Sequence, residues 1–308
     1  ALVRIYAFMN ISCIGLIAYD FELTHAAYAN PHLFELLRKG NRDLVIGGKV
    51  RLGASTVGEN GYESLKIARQ ALEKSGLPLM LHIARRPPDP EDFADLLREG
   101  DVLTHCYTGQ TMKLVDDNGK VRDFAKAWLD RGVIFDVGHG QGSFTYNTVT
   151  AMLAANIKPH TISSDIHLGS IPGPMFDLPT CLNKFMALGL SLDEVIACAT
   201  VAPARLLGME REIGTLRIGA FADVAVFDLD SGPVELYDTD WETKPLKEAL
   251  RNRATFVGGR LLPRRAEEPM PEFTKWTRGG RYDWIAEKQA EAVRKGHAPR
   301  MAPPLDTL

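Results

Sequence analysis

The stretch LVIGGKV at residues 44–50 is an apolar run of strand length that delivers a lysine, Lys49, where it gives out. Three later runs behave alike: LPLMLHI at 77–83 delivers His82, DVLTHC at 101–106 delivers His105, and HTISSD at 160–165 delivers Asp165. Lys49 to His82 and His82 to His105 are each near one βα unit apart. His105 to Asp165 spans about two, with VIFDVGHG at 133–140 carrying His139 between them. A (β/α)8 barrel keeps its chemistry at the C-terminal ends of successive parallel strands, so side chains distant in sequence converge on one mouth. The expected fold class is therefore α/β, a TIM-like (β/α)8 barrel.

The segments between these runs support that reading. GYESLKIARQALEKSG places Leu65, Ala68, Ala71 and Leu72 on one helical stripe and stops at Gly76, and PHLFELLRKG resembles a helix end closed by Gly40. PEDFADLLREG, acidic in its first turn, and VRDFAKAWLDRG, NTVTAMLAANI, MFDLPTCLNKFMALG and SLDEVIACATVAPARLLG also read as helices. With residues 2–10 as a further buried strand, six strands alternate with helices, the pattern of a parallel sheet covered on both faces. The character changes after Met209. GTLRIGAFADVAVFDLD and ATFVGGRLL are β-rich with Gly turns. The expected division is 1–208 for the barrel, 209–262 for part of a small β-sandwich, and 263–308 for a C-terminal extension that starts Pro-rich and charged. Within that extension Trp276 and Trp284 are expected to pack beside a polar helix, IAEKQAEAVRKG.

Composition narrows the function. At 308 residues and 45% hydrophobic the chain can bury a large core. A net charge of −3 without a basic run argues against a nucleic-acid partner, since phosphate neutralisation needs clustered Lys and Arg. No apolar stretch reaches the roughly 18 residues of a membrane span. Four scattered cysteines, Cys13, Cys106, Cys181 and Cys198, without a CxxC pair favour a reducing, cytoplasmic compartment. A small-molecule substrate is the expected partner, and a homo-oligomer is compatible with all of this.

Imidazole nitrogens and carboxylate oxygens are the ligands of zinc and similar divalent ions. His82, His105 and Asp165 offer that set. A single histidine is as readily a hydrogen-bonded core residue, but three such groups at strand ends are harder to explain that way. Alternation along HTISSD puts Thr161, Ser163 and Asp165 on one face, and an inward Asp165 needs a partner. Lys49 either snorkels to the mouth or is carbamylated by CO2, which turns a cation into a bridging anion. Gly47 and Gly48 are expected to leave room for that larger head. His139 and Gly140, in the Gly-rich GHGQG turn, are candidate substrate contacts. The turn lacks the GxxxxGK[ST] pattern of a phosphate cradle. Arg85, with Arg86 beside it, is a candidate for a substrate carboxylate, although adjacent arginines in a Pro-rich loop are commonly just solvated. His167 either orients Asp165 or faces solvent. Cys106 is expected to pack on the opposite strand face from His105. No GxSxG nucleophile elbow occurs.

With KVRLGAS, MLHIA, LTHCYTG, FDVGHGQGSF, SSDIH and GTLRIGAFADVAVFD in this order, the chain resembles the amidohydrolase superfamily, in particular its deacetylase and dihydroorotase-like branch. The resemblance runs from residue 2 to about 262. It implies a TIM-like barrel flanked by a small β-sandwich, with one or two divalent ions, usually zinc. On that basis Lys49 is the carbamylated bridging lysine of barrel strand four. His82 and His105 are the ligands of strands five and six, and Asp165 is the strand-eight carboxylate that binds metal and shuttles a proton. The implied reaction is hydrolysis of an amide, N-acyl or related ester bond by metal-activated water, as in a deacetylase or deacylase. A cyclic-amide hydrolase of the dihydroorotase or hydantoinase kind uses the same core, and a non-catalytic scaffold is a further reading.

One departure matters. The family's first barrel strand carries an HxH pair, and no HxH occurs in these 308 residues. The six strands correspond to strands three to eight. The sequence therefore reads as an N-terminally truncated copy of an active enzyme, or else as a degenerate homologue. As it stands, two ligands short, the chain is expected to hold at most one metal, weakly.

Overall fold

The computed structural model describes residues 3–17, 20–171 and 173–263. The extension beyond residue 263, with Trp276, Trp284 and the expected polar helix, lies outside them. Five strands form a parallel sheet in sequence order: β1 (Ala7–Asn10), β2 (Val45–Arg51), β3 (Leu79–His82), β4 (Val102–Thr104) and β5 (Ile134–Phe135). The register pairs Lys49 with Met80, Arg51 with His82, His82 with Thr104 and Leu103 with Phe135. The strand ends therefore lie side by side along one edge of the sheet.

The sixth expected strand, HTISSD, runs beside β5 without becoming a regular strand. One parallel bridge joins Asp136 to Thr161, and Val137, His139 and Gly140 donate their N–H groups to the carbonyls of Thr161, Ser163 and Ser164. A left-handed Asp165, φ 47°, then turns the chain out of the sheet. β1 is shorter than the expected 2–10.

Apolar runs form these strands because both faces are covered. Val50, Leu52, Leu79, Leu81, Leu103 and Phe135 are fully buried. The helices follow their local signals. In α1 (Pro31–Gly40) Asn30 caps the first turn and Pro31 enters it, and in α3 (Glu63–Glu73), after the short α2 (Ala54–Val57), the buried stripe is Leu65, Ala68 and Leu72. The next are α4 (Asp123–Asp130), α5 (Tyr146–Ala154) with Thr145 as its cap, and α6 (Leu178–Ala187) with Asp177 as its cap. A capping box between Ser191 and Glu194 opens α7 (Leu192–Ala199), which leads into α8 (Val201–Leu206). PEDFADLLREG departs from expectation. Pro90–Leu96 is a 3-10 helix, with Phe93 buried against Trp128.

The expected room beside Gly47 and Gly48 is not there. A Cβ on Gly47 would meet the Phe8 ring, and one on Gly48 would meet Leu72 at 2.8 Å. Both glycines instead allow close packing of β1 and α3 on β2.

The β-rich region folds as an antiparallel sheet of β6 (Val224–Tyr237), β7 (Thr243–Val257) and β8 (Arg260–Leu261). It is tied to the helical layer by buried polar bonds. The Asn183 side chain on α6 exchanges two hydrogen bonds with the Leu250 backbone, and the Tyr146 hydroxyl donates to the Leu236 carbonyl at 2.7 Å. The four cysteines are free thiols, and Cys106 is fully buried. Among the described residues no helix is long and apolar enough to cross a membrane.

Candidate metal centre

The strand ends bring His82 and His105 together. Their rings meet edge to face with centroids 4.4 Å apart. Burial pushes His82 well below the ordinary histidine range, helped by the neighbouring His105, Arg51 and Lys49 charges, so its imidazole is neutral at physiological pH. His105, just past β4, is buried with a left-handed backbone, φ 67°. Burial lowers its pKa as well, against the opposing pull of Asp165. Its Nδ1 donates to the Gly138 carbonyl at 2.6 Å, which leaves the Nε2 lone pair as the free donor.

Lys49 is half-buried, and burial brings its amine down to about 8, with the Asp165 and Asp136 carboxylates opposing the shift. Asp165 is exposed at the mouth, and it is the largest charge acting on both Lys49 and His105. Lys49, His82, His105 and Asp165 are thus linked electrostatically, the two histidines also by direct ring contact.

Sequence reasoning missed Asp136. Its carboxylate is buried and accepts the hydroxyls of Thr104 at 2.7 Å, Thr161 at 2.6 Å and Ser163 at 2.8 Å. Thr161 and Ser163, expected as the small polar neighbours of Asp165, therefore serve Asp136. The signal was present in the strand parity, since VIFDVG buries an acid between Phe135 and Val137. Asp136 ties β4 and β5 to the irregular 161–165 segment and adds a negative charge near Lys49 and His105. A second buried acid, Glu22, pairs with Arg51 at 2.7 Å and accepts from the Asn10 amide. It too was not foreseen.

The GHGQG turn carries two of the expected substrate residues. His139 is fully buried, stacked on Phe144 with ring centroids 4.6 Å apart, and both its nitrogens are engaged. Nδ1 donates to the Gly140 carbonyl at 2.9 Å, and Nε2 lies 2.7 Å from the Lys184 amine. Gly140, φ 51°, abuts Asp165, since a Cβ built there would stand 2.6 Å from the Asp165 Oδ2. Gly140→Ala therefore meets two penalties, left-handed strain of about 1–2 kcal/mol and displacement of the carboxylate. We expect kcat/KM to fall by about 10²-fold with a small loss of stability, as steady-state kinetics and urea unfolding will show. Unchanged kcat/KM would place the reactive carboxylate elsewhere.

Arg85 is exposed on the loop after β3, where its carbonyl accepts from the Ala54 N–H. Arg86 pairs with Asp89 at 2.9 Å. His167 accepts from the Gly169 N–H at 3.1 Å, within its own loop.

A metal ion must fit this donor chemistry. Among the described residues no three His, Cys, Asp or Glu side chains converge into a ligand set. The centre offers two neutral imidazoles side by side, a carboxylate at the mouth and a weakly basic amine. Two neutral imidazoles and a carboxylate are donor types that suit a divalent cation.

Residues 34–262 match the amidohydrolase family. A deacetylase of Enterococcus faecalis is 33% identical over 261 residues, covering 84% of this chain and 70% of that protein. A deacetylase of Agrobacterium fabrum is 27% identical over 284 residues, covering 91% and 69%. Among solved structures, an adenine deaminase superposes with a TM-score of 0.80 at 33% identity, covering 84% of this chain and 71% of that one. A dihydroorotase follows with 0.78 at 27%, covering 85% and 70%.

Proposed function

Because the chain belongs to the amidohydrolase family, with the TIM-like barrel fold and the metal-dependent hydrolysis of carbon–nitrogen bonds that go with it, we propose that it is a deacylase that removes an acyl group, acetyl above all, from the nitrogen of a small molecule. The observation that carries the reading is the His82–His105 contact beside Lys49 at the ends of β2 to β4. The deacetylase relatives support the N-acyl substrate.

In this reading Lys49, His82, His105 and Asp165 would hold a divalent ion, zinc by preference for imidazole donors. Lys49 does so as a carbamate, formed when its neutral Nζ adds to CO2 with loss of a proton. A bound divalent ion supplies Lewis-acid charge that polarises the scissile carbonyl and lowers the pKa of the attacking water toward 7. Asp165 takes the proton from that water as its oxygen bonds to the carbonyl carbon. It then returns the proton to the nitrogen as the C–N bond breaks, so a carboxylate and an amine leave. In this reading its exposed place beside Gly140 gives the carboxylate access to both atoms. Arg85, exposed on the loop after β3, in this reading meets an anionic group of the substrate, and Gly140 keeps the space beside the reacting bond clear. The protein in this reading works in a reducing compartment, the cytoplasm, in keeping with four scattered cysteines without a CxxC pair.

The dihydroorotase likeness favours a second reading, a cyclic-amide hydrolase on the same centre. A panel of N-acetyl amino acids against dihydroorotate and hydantoins, with zinc and bicarbonate present and product release followed, separates them. We expect turnover of at least one N-acetyl compound at about 100-fold higher kcat/KM than any cyclic amide, the scale on which a site rejects a misfitting substrate. The reverse order selects the second reading, and no turnover of either class overturns both.

A further inference from the structure

Lys184 on α6 is an unusual residue. Its side chain is fully buried, and among the described residues no carboxylate forms an ion pair with it. Its Nζ donates to the Pro174 carbonyl at 2.7 Å and to His139 Nε2 at 2.7 Å, and it stands 5.5 Å from the centroid of the Phe144 ring. Burying an amine without a counter-ion is costly, and an apolar side chain of like length in such a place is often neutral or stabilising. A role in stability alone does not explain it.

The hydrogen bonds lead from Lys184 to the metal centre. Because the amine donates to Nε2, His139 is held as the neutral Nδ1–H tautomer, and Nδ1–H is directed at the Gly140 carbonyl. The same turn is anchored by Gly138 N–H to the Ser163 hydroxyl at 3.0 Å and by Gly140 N–H to the Ser164 carbonyl at 2.9 Å. Its two ends then meet the site. The Gly138 carbonyl fixes the His105 tautomer, and Gly140 backs the Asp165 carboxylate.

We propose that Lys184 is a positioning residue for the reaction: by its hydrogen bond to His139 it sets the His139 tautomer, and through it the 138–140 turn that orients His105 and Asp165. This rests on the reading of His105 as a metal ligand and Asp165 as the proton carrier. Lys184 touches neither, so its effect is indirect. It also accounts for His139 being closed off from substrate, with both nitrogens spent inside the protein.

Lys184→Met removes the donor and keeps the bulk. We expect the variant to unfold at the same or a higher urea concentration, with kcat down about 10–100-fold, KM within about threefold, and the dissociation constant for Zn2+, measured by chelator competition, raised about tenfold. His139→Gln should give a similar loss. The double variant should lose no more than the worse single one, because the two residues act as a unit. Wild-type kcat and Zn2+ affinity in Lys184→Met would overturn the proposal, as would additive losses in the double variant. Nitrogen-15 NMR of histidine-labelled wild-type protein supplies a test that needs no variant. The Nδ1–H tautomer at His139 is expected, and the Nε2–H tautomer would overturn the assignment even if Lys184→Met did not fold. The tautomer and the Zn2+ affinity do not depend on which substrate is cleaved, so failure of the deacylase reading leaves them readable.

Discussion

Asp165→Asn abolishes turnover in our expectation, with kcat lowered by about 10³-fold or more while the metal content of the purified protein is unchanged. General acid–base transfer by a placed side chain is worth about 10²–10⁴-fold. Asparagine keeps the size and one oxygen of the carboxylate but cannot carry a proton. The backbone does not confound the result. Asp165 sits at φ 47°, and asparagine is among the few residues that adopt this left-handed region readily. The substitution also removes the largest charge acting on His105 and Lys49, so in the metal-free, CO2-free variant both groups should lose protons at a lower pH. Metal analysis beside steady-state kinetics is the measurement. An Asp165→Asn enzyme that retains more than about a tenth of the wild-type kcat would sink the proton-carrier role, and one that loses its metal would recast Asp165 as a ligand alone.

Removal of CO2 should have the second large effect. Protein stripped of metal and dialysed free of CO2, then given zinc, is expected to show less than about 1% of full activity, and bicarbonate should restore it. The missing charge stabilisation amounts to several kcal/mol, a factor of about 10²–10³. The amine adds CO2 only when neutral. Burial brings Lys49 down to about 8 from the ordinary 10.5, so the reactive form is already plentiful at mildly alkaline pH. Reactivation at constant dissolved CO2 should therefore speed up from about pH 6.5 to about 8.5 and then level off. A rise that continues to about pH 10.5 would mean an ordinary exposed amine. Lys49→Met should be inactive with or without bicarbonate, and indifference of the wild type to CO2 would remove carbamylation from the account.

The site residues differ in how far they could be read before folding. His82 and His105 follow from strand ends alone. Each closes an apolar run, neighbouring parallel strands stand about 4.8 Å apart, and two such ends are bound to be close. Asp136 was legible in principle, since it shares strand parity with Gly138 and sits between buried Phe135 and Val137, but nothing local says that Thr104, Thr161 and Ser163 will donate to it. Lys184 was out of reach. In MFDLPTCLNKFMALG it is one more polar residue on a helix, and only the docking of α6 turns it toward His139. Gly47 and Gly48 look like space for a larger neighbour, yet Phe8 and Leu72 fill that space, because close packing leaves no voids for later use.

Alternating apolar runs and helical stripes, the ends of those runs and the chemistry of their last residues could all be established from the order of amino acids, because a period of two or of 3.6 is a local property that any window reveals. The parallel βα order, the change to β-rich sequence after Met209 and the position of the candidates Lys49, His82, His105 and Asp165 at the ends of apolar runs belong to that part. The tertiary structure alone settled which buried polar group answers which: Asp136 with its three hydroxyls, Glu22 with Arg51, Lys184 with His139, and Gly140 against Asp165. Buried polar atoms must find partners wherever the chain folds back, and those partners come from segments tens of residues away, set by loop conformation and helix docking rather than by any repeat.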